Sequence, residues 1–567
     1  MKKNSLILGL NTAGFNTSTS LIVDGVPVFA VEEERLIREK RTRKFPHQGI
    51  KAALEKGDVS FDEIDVIAIA WNPAINLESY NAAHSGRARF LGEIYYNVVN
   101  GLSGYMGEAG DVSEQIVHLK SGKKLHIYFI RHHLAHASAF YISPFEEAAV
   151  LTADAFGEKE CTHFAHGKGG KIDPIWSQEF PHSLGSFYST MTAFMGFQPQ
   201  SDEWKLMGAS SFGDGNRFID RVRSLVRMKD VGFELDLSCF NHFQFHRPGL
   251  FAPKMIDVLG FEPNEKDKPL TQDYYDLSAA AQTVFEEIYL GLINQLHERV
   301  GGENLVLSGG SALNSVANGK VIANSPFKRV FIPPTPDDSG GSMGAAMYIY
   351  HHLMEQPRHY VMENNYLGPS YDNEAIKTTL ETLQLQHEKL SDPMADAARQ
   401  IADGKIIGWF QGGLEFGDRA LGNRSILGDP RDASMKDKVN ALIKYREAFR
   451  PFAPAILADR CEEYFERAAP TPFMEKVFQI KPDKRGGIPA VTHVDGSGRL
   501  QTVTEKQNPR FYRLISSFYK ETGIPIVLNT SFNVKGEAMV CSPHDAIRTF
   551  FSSGLDVLYL GDYKVLK

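Results

Sequence analysis

His132 and His136 stand four residues apart in RHHLAHASAFY, a spacing that puts both imidazoles on one face of a helix, where two ring nitrogens can meet one ion. Two histidines leave a metal short of ligands. The sequence offers two carboxylates in suitable places: Asp154 at the end of an apolar strand, and Asp338 in IPPTPDDSGGSMGAAM, where Gly340 and Gly344 let backbone approach a ligand closely. Two His and two Asp suit a borderline divalent ion such as iron, manganese or zinc, with positions left open for a ligand oxygen. A satisfied structural histidine pair is the alternative, because the spacing alone is common.

A second set of residues suits an anion. Lys444 and Arg446 sit two apart, so on a strand or extended loop both cations face one side and converge on a phosphate. Ser531 and Asn533 share that spacing after an apolar strand and supply a hydroxyl and an amide. Arg419 and Arg424 in EFGDRALGNRS, Arg450 before Pro451, and Arg499 after THVDGSG add cations in the same part of the chain. A third set, Ser308-Gly309-Gly310-Ser311 followed by Asn314, presents bare amides near a helix start, which favours a nucleotide phosphate or the face of an adenosine; a plain tight turn is the alternative. Glu203 to Gly208 either shapes an acceptor pocket or is an ordinary helix start.

These groups need strands and helices to hold them. Residues 5–10 form a short apolar run, and Leu21–Val23 and Val28–Val31 flank Asp24-Gly25, a strong hairpin signal. Further strands are expected at 148–152, ending on Asp154, and at 304–307, ahead of the glycine loop and a helix carrying Asn314. Strand ends running into small-residue loops are where α/β domains keep ligands. Irregular sequence with Pro357, Pro369 and the run Glu363 to Asn365 sets a linker at 357–371, between domains at 1–356 and 372–567. The second alternates helices (395–402, 435–443, 511–521) with strands (406–410, 525–528, 557–560).

At 567 residues the chain exceeds one ordinary core, and 43% hydrophobic with 23% charged residues is a globular balance. No apolar run approaches the ~18 residues that span a bilayer. The opening MKKNSLILGLN reads as a first core strand, with cytoplasmic residence and no membrane partner expected. The four cysteines lack CxxC spacing and read as ordinary buried thiols. A net charge of −8 argues against a nucleic-acid partner, and the basic run Arg35 to Lys44 reads as a solvated face that can steer an anionic substrate.

The segments HHLAHASAFY, EWKLMG, LSGGSALN, PPTPDDSGGSMGAA, WFQGGLEFGDRALGNRSILGDPR, KYREAFRPFAPA, IPAVTHVDG and LNTSFNVKGE resemble the NodU/CmcH-type O-carbamoyltransferases, which make carbamate esters on antibiotics, Nod factors and related metabolites. The resemblance implies an α/β chain with an N-terminal Kae1-like domain of the ASKHA (actin-like ATPase) class and a C-terminal YrdC-like domain. It implies that the second domain forms carbamoyl-adenylate from carbamoyl phosphate and ATP with Mg²⁺, and that the first carries the carbamoyl group to a hydroxylated small-molecule acceptor. Antibiotic or other secondary-metabolite biosynthesis is the implied setting, and a homo-oligomer is compatible with it.

Carried over by position, His132, His136, Asp154 and Asp338 match the family's metal ligands, for which iron is implied, and Gly309, Gly310 and Asn314 its nucleotide loop. Lys444 and Arg446 match its KxR and Ser531 and Asn533 its SxN, with Arg419, Arg450 and Arg499 as further phosphate contacts. The family's first loop carries His-Asp where this chain has Phe15 and Asn16, and its following Lys-His is Lys40-Arg41 here. Phe and Arg cannot act as a general base near neutral pH, so the acceptor's proton must leave by another route. The alternatives are a tRNA threonylcarbamoyl-type transferase and a transfer-deficient nucleotide-binding regulatory protein.

Overall fold

The computed structural model describes residues 5–14, 16–72, 111–244, 248–266, 268–444 and 452–567, with the Lys444 side chain left out. The described residues fall into two compact units. Those within Met1–Gly14, Ser18–Pro27 and Asp58–Val361 form one, and those within Phe15–Thr17, Val28–Gly57 and Met362–Lys567 form the other. The division after Val361 falls inside the expected linker, and the second unit also takes residues 28–57, which the sequence pattern assigned to the first domain.

The first unit is built on two sheets of the same plan. β1 (Leu6–Asn11), β2 (Ser18–Val23) and β3 (Val26–Glu32, whose residues from Val28 onward fall in the second unit) are followed by β4 (Val66–Ile69), β5 (Val112–His118) and β6 (Lys124–Ile130), in the order β3-β2-β1-β4-β6-β5. Asp24-Gly25 turns β2 into β3 with φ of 48° and 79°, the left-handed pair that the hairpin signal requires. The other sheet holds β7 (Glu147–Ala153), β8 (Glu160–Lys168), β9 (Lys171–Glu179), β12 (Asn304–Ser308) and β13 (Arg329–Phe331), in the order β13-β12-β7-β8-β9. Strands β10 (Val226–Met228) and β11 (Phe233–Leu235) form a separate small ladder.

In each sheet a meander is extended by parallel strands on the side of its first strand: β1, β4 and β6 in one, β7, β12 and β13 in the other. This is a duplication of structure that the sequence does not display as a repeat. The parallel strands of each sheet end together, so Asn11 closes one strand and Trp71, His132, Asp154 and Gly309 follow the ends of others. The helix Gly341–Tyr348 reaches β1 and the histidine helix through its small residues. A Cβ on Gly9 would lie 1.9 Å from the Ser342 carbonyl oxygen, and one on Gly344 would lie 2.0 Å from that of Ala135. The core behind β7 and β12 is closed by the helices Leu184–Phe194 and Gln272–Val300.

The second unit contains a nine-stranded sheet of β14 (His387–Lys389), β15 (Ile407–Phe410), β16 (Arg424–Gly428), β17 (Ala453–Leu457), β18 (Lys476–Gln479), β19 (Ser497–Val503), β20 (Ile526–Ser531), β21 (Val557–Leu560) and β22 (Tyr563–Leu566). Its order is β14-β22-β21-β15-β16-β20-β17-β19-β18. Strand alternation divides its apolar side chains between two cores. Trp409, Leu427, Ala455, Val527 and Tyr559 pack with the helices Pro393–Ala402 and Pro509–Thr522, whereas Phe410, Ile426, Ile456, Leu528 and Leu558 pack on the opposite face. All four cysteines are buried free thiols, and among the described residues no helix is long and apolar enough to cross a membrane.

Candidate functional site

In the first unit the expected ligand set comes together. The helix His132–Ala137 starts one residue after β6 is left behind, and its N-terminal turn is held by the buried Glu158 carboxylate, which accepts the backbone N–H of His132 at 3.0 Å and of Asn72 at 2.6 Å. His132 Nε2 and His136 Nε2 lie 3.0 Å apart. Asp154 Oδ2 is 3.5 Å from the first and 3.0 Å from the second, and Asp338 Oδ1 is 3.5 and 3.7 Å from them. The ligand atoms all lie within 4.8 Å of one another. An ion about 2.1 Å from each ligand sets neighbouring ligand atoms roughly 3–4 Å apart, so one divalent cation fits this spacing.

The hydrogen bonding of the cluster points the same way. Asp154 Oδ2 is buried without a hydrogen bond of good geometry, and two imidazole Nε2 atoms at 3.0 Å cannot both direct protons at each other. Burial opposes charge on His136, but the Asp154 and Asp338 carboxylates facing its ring outweigh it and raise its pKa to about 10. Burial would likewise raise Asp154, and the two histidines hold its carboxyl well below the ordinary range instead. The four side chains thus favour positive charge at their centre. The side chains of His132, His136 and Asp154 are 4%, 1% and 12% exposed and that of Asp338 is 26% exposed, so the cluster opens past Asp338.

Neighbouring residues tune this centre. Gly14, at φ 72°, packs so closely on Asp338 that an added Cβ would lie 2.1 Å from Oδ2, and a Cβ on Gly310 would lie 3.0 Å from Asp154 Oδ1. The Trp71 ring stands 5.4 Å from that of His132, with Phe156 6.0 Å beyond it. His133, the third histidine of the run, is turned away: Nδ1 meets Thr152 Oγ1 at 2.6 Å and burial pushes its pKa well down. In the glycine loop, Gly309 at φ 85° presses on the Ala153 carbonyl. Asn314 is engaged inside the fold, capping the helix Ser315–Asn324 through Ala317 N at 3.1 Å and exchanging two hydrogen bonds of 3.0 Å with Gln282. The segment at Glu203 is a helix start, Glu203–Ala209, where Glu203 accepts from Ser189 Oγ at 2.6 Å.

In the second unit, strand register gathers the anion-binding candidates at one end of the sheet. Ser531 at the end of β20 pairs with Ser425 near the start of β16, and Phe410 at the end of β15 pairs with Arg424. Asn529 on β20 pairs with Ala453, the first residue of β17, and Gln501 on the parallel strand β19 pairs with Ala455. The loop carrying Arg419, the loop carrying Ser531 and Asn533, and Arg499 near the start of β19 therefore share that end. Ser531 Oγ donates to Asn533 Oδ1 at 2.8 Å, and Asn533 Nδ2 to the Glu537 carbonyl at 2.8 Å. Lys444 ends a turn of π-helix at Asn440–Lys444 rather than lying on a strand. The Lys444 side chain, Arg446, Arg450 and Phe15 lie outside the described residues.

Residues 6–347 match the carbamoyltransferase N-terminus family and residues 398–567 the carbamoyltransferase C-terminus family. The chain belongs to the carbamoyltransferase family. It is an enzyme that transfers carbamoyl groups, and its relatives place it with the NodU/CmcH type. An uncharacterized protein of Synechocystis sp. is 38% identical over 99% of this chain and 96% of its own length. The nodulation protein NolNO of Sinorhizobium fredii is 36% identical over 100% of this chain and 81% of its own. The 3'-hydroxymethylcephem-O-carbamoyltransferase of Amycolatopsis lactamdurans is 33% identical over 46% of this chain and 48% of its own.

Two arginines of this carbamoyltransferase differ from the picture drawn from spacing. Arg424 is fully buried, stacked 3.6 Å from the centre of the Phe410 ring, and donates to the carbonyls of Gln411, Asn423, Pro369 and Gly412, so its guanidinium ties loops together inside the core. Burial pushes its pKa down to about 10. Arg35, in the run expected to be a solvated face, is also buried, 3.4 Å from Glu32 and 2.6 Å from Glu34. Residues that spacing did not single out are Glu158, Gly14 and Glu415, a fully buried carboxylate beneath the Arg419 loop. A lone glycine in the loop after β1 is a weak signal for Gly14, whereas a single glutamate in sequence gives no sign of the backbone groups it will meet.

Proposed function

We propose that this chain is an ATP-dependent O-carbamoyltransferase with its two half-reactions divided between its two units. The observation that carries the reading is the pairing of a His/His/Asp/Asp cluster in the first unit with convergent SxN and arginine loops in the second. The duplicated sheet of the first unit supports an ASKHA, Kae1-like assignment, and the loops at one end of the second sheet support a YrdC-like one. The relatives named for O-carbamoyl transfer to a cephem support a hydroxyl acceptor on a small metabolite.

In the second unit, Ser531, Asn533, Arg419 and Arg499, with Lys444, Arg446 and Arg450, hold carbamoyl phosphate and the triphosphate of Mg·ATP. Water releases phosphate from carbamoyl phosphate, the carbamate oxygen attacks the α-phosphorus, and pyrophosphate leaves, giving carbamoyl-adenylate. Cationic and N–H donors stabilise the charge that develops on the departing phosphates. In the first unit, Gly309 and Gly310 leave backbone amides bare for the nucleotide. His132, His136, Asp154 and Asp338 would hold a divalent ion, iron by family resemblance, which supplies a Lewis acid for a carbonyl or phosphoryl oxygen. The acceptor hydroxyl attacks the carbamoyl carbon, AMP leaves, and the proton passes to the departing phosphate, since the segment from Gly9 to Asn16 has no side chain that accepts one near neutral pH.

The test is incubation with carbamoyl phosphate, ATP and Mg²⁺. Pyrophosphate release that depends on carbamoyl phosphate is expected, and its absence refutes the reading. Ser531→Ala should abolish that release and leave transfer from supplied carbamoyl-adenylate intact. If His132→Ala blocks pyrophosphate release and spares transfer, the division of labour is wrong.

A further inference from the structure

We propose that Glu32, Arg35 and Glu415 are positioning residues for Arg419, so that residues 28–57 complete an oxyanion site in the second unit for a phosphate-bearing substrate. The inference rests on the reading that the second unit handles phosphates, and it goes further by naming what holds the loop.

The loop between β15 and β16 has almost no regular structure, yet buried charge fixes it on both sides. From within, Glu415 Oε1 accepts three backbone N–H groups, from Leu421 at 2.8 Å, Asn423 at 2.8 Å and Arg424 at 3.1 Å. From residues 28–57, Glu32 Oε1 accepts the N–H of Gly417 at 3.0 Å while Arg35 Nη2 donates to the Gly417 carbonyl at 3.0 Å. Both polar groups of the residue next to Asp418 and Arg419 are therefore clamped. Gly417 has φ 129°, a conformation that glycine alone adopts readily.

Three consecutive glutamates share this work. Glu32 meets Gly417, Glu33 accepts from Gln48 and Gly49 at 3.0 and 2.7 Å, and Glu34 accepts the N–H of Arg41 at 2.6 Å. All three are nearly fully buried. Carboxylates are rarely placed so deep unless paired, and burying them costs several kcal/mol that an apolar core would not incur. That cost has a reason if the backbone they fix must present charge accurately. Arg419 follows this clamp by two residues and is half-buried beside the exposed Asp418, so the backbone that carries its guanidinium is fixed from both sides. A guanidinium held in one place suits a phosphate oxygen.

The experiment uses the full chain and inorganic phosphate, carbamoyl phosphate and ATP as calorimetric probes. Arg419→Ala, Glu415→Ala and Glu32→Gln should each weaken phosphate binding about tenfold or more, because displacing a binding group by ~1 Å has effects of that order. Glu415→Ala should add little to Arg419→Ala in the double variant, since it acts through that side chain. A loss confined to the small phosphates identifies carbamoyl phosphate as the occupant, and a loss shared with ATP identifies the nucleotide's phosphates; both support the inference. Additive losses, or wild type that binds no phosphate, overturn it. If Glu415→Ala does not fold, Glu32→Gln, which keeps an oxygen for Gly417 N–H but removes the charge facing Arg35, carries the test, and unchanged affinity in it overturns the proposal. Wild type that binds phosphate without releasing pyrophosphate refutes the proposed function and leaves this inference standing.

Discussion

Gly14→Ala is a one-carbon perturbation aimed at the centre of the first unit. The added methyl would lie 2.1 Å from Asp338 Oδ2, and restoring ordinary contact takes a shift of about 1 Å. The carboxylate can give way only by leaving the position from which Oδ1 stands 3.5 Å from His132 and 3.7 Å from His136. Perturbing the support of a metal ligand costs about 10–100-fold in metal affinity, and that range is expected here. Backbone strain adds to this, since Gly14 sits at φ 72°, where an L-residue costs about 1–2 kcal/mol. Gly122→Ala separates the two effects, because Gly122 has φ 87° and nothing within 4 Å of its Cβ position. It should lose similar stability and keep the metal. The assay is equilibrium dialysis against Fe²⁺, Mn²⁺ and Zn²⁺ with elemental analysis, alongside thermal melting. Wild-type metal affinity in Gly14→Ala, or an equal loss in Gly122→Ala, would refute the reasoning.

Two further predictions concern stability. Arg424→Met should destabilise the second unit by about 3–5 kcal/mol in denaturant melts, because it removes a buried guanidinium that donates to four carbonyls; a folded variant with wild-type stability and only weaker phosphate binding would show that Arg424 is a ligand contact after all. Burial would raise the pKa of Glu160, but His163, with His133 and Arg131, brings it down to about 2 from the ordinary 4.5. Its folded pKa is thus below its unfolded one, so its stabilisation, on the order of 3 kcal/mol, is complete above about pH 4.5 and fades as pH falls toward 2. The melting-temperature gap between wild type and Glu160→Gln should therefore narrow between pH 6 and about pH 3.5. A gap constant over that range contradicts the assignment.

Much of the first site was legible because its signals are local. A four-residue spacing on a helix, an aspartate at a strand end and a glycine pair after another strand each follow from short-range periodicity, and β7 and β12 lie where the apolar runs put them. The hairpin at Asp24-Gly25 is local in the same way. Arg424 was not legible as a core residue, since an arginine beside Gly422 and Asn423 looks like a loop cation until the Phe410 ring and four carbonyls are placed around it.

The sequence by itself determined the family, the identity of the candidate ligands and the strands that deliver them, because these depend on residue type and on periods of two and of about 3.6. Tertiary structure alone decided that residues 28–57 pack with the second unit, that Glu32 and Arg35 grip Gly417 across 385 and 382 residues of chain, and that Gly14 leaves room for one aspartate oxygen. Those facts are contacts between residues far apart in the chain, and no local pattern encodes the partner of a buried charge.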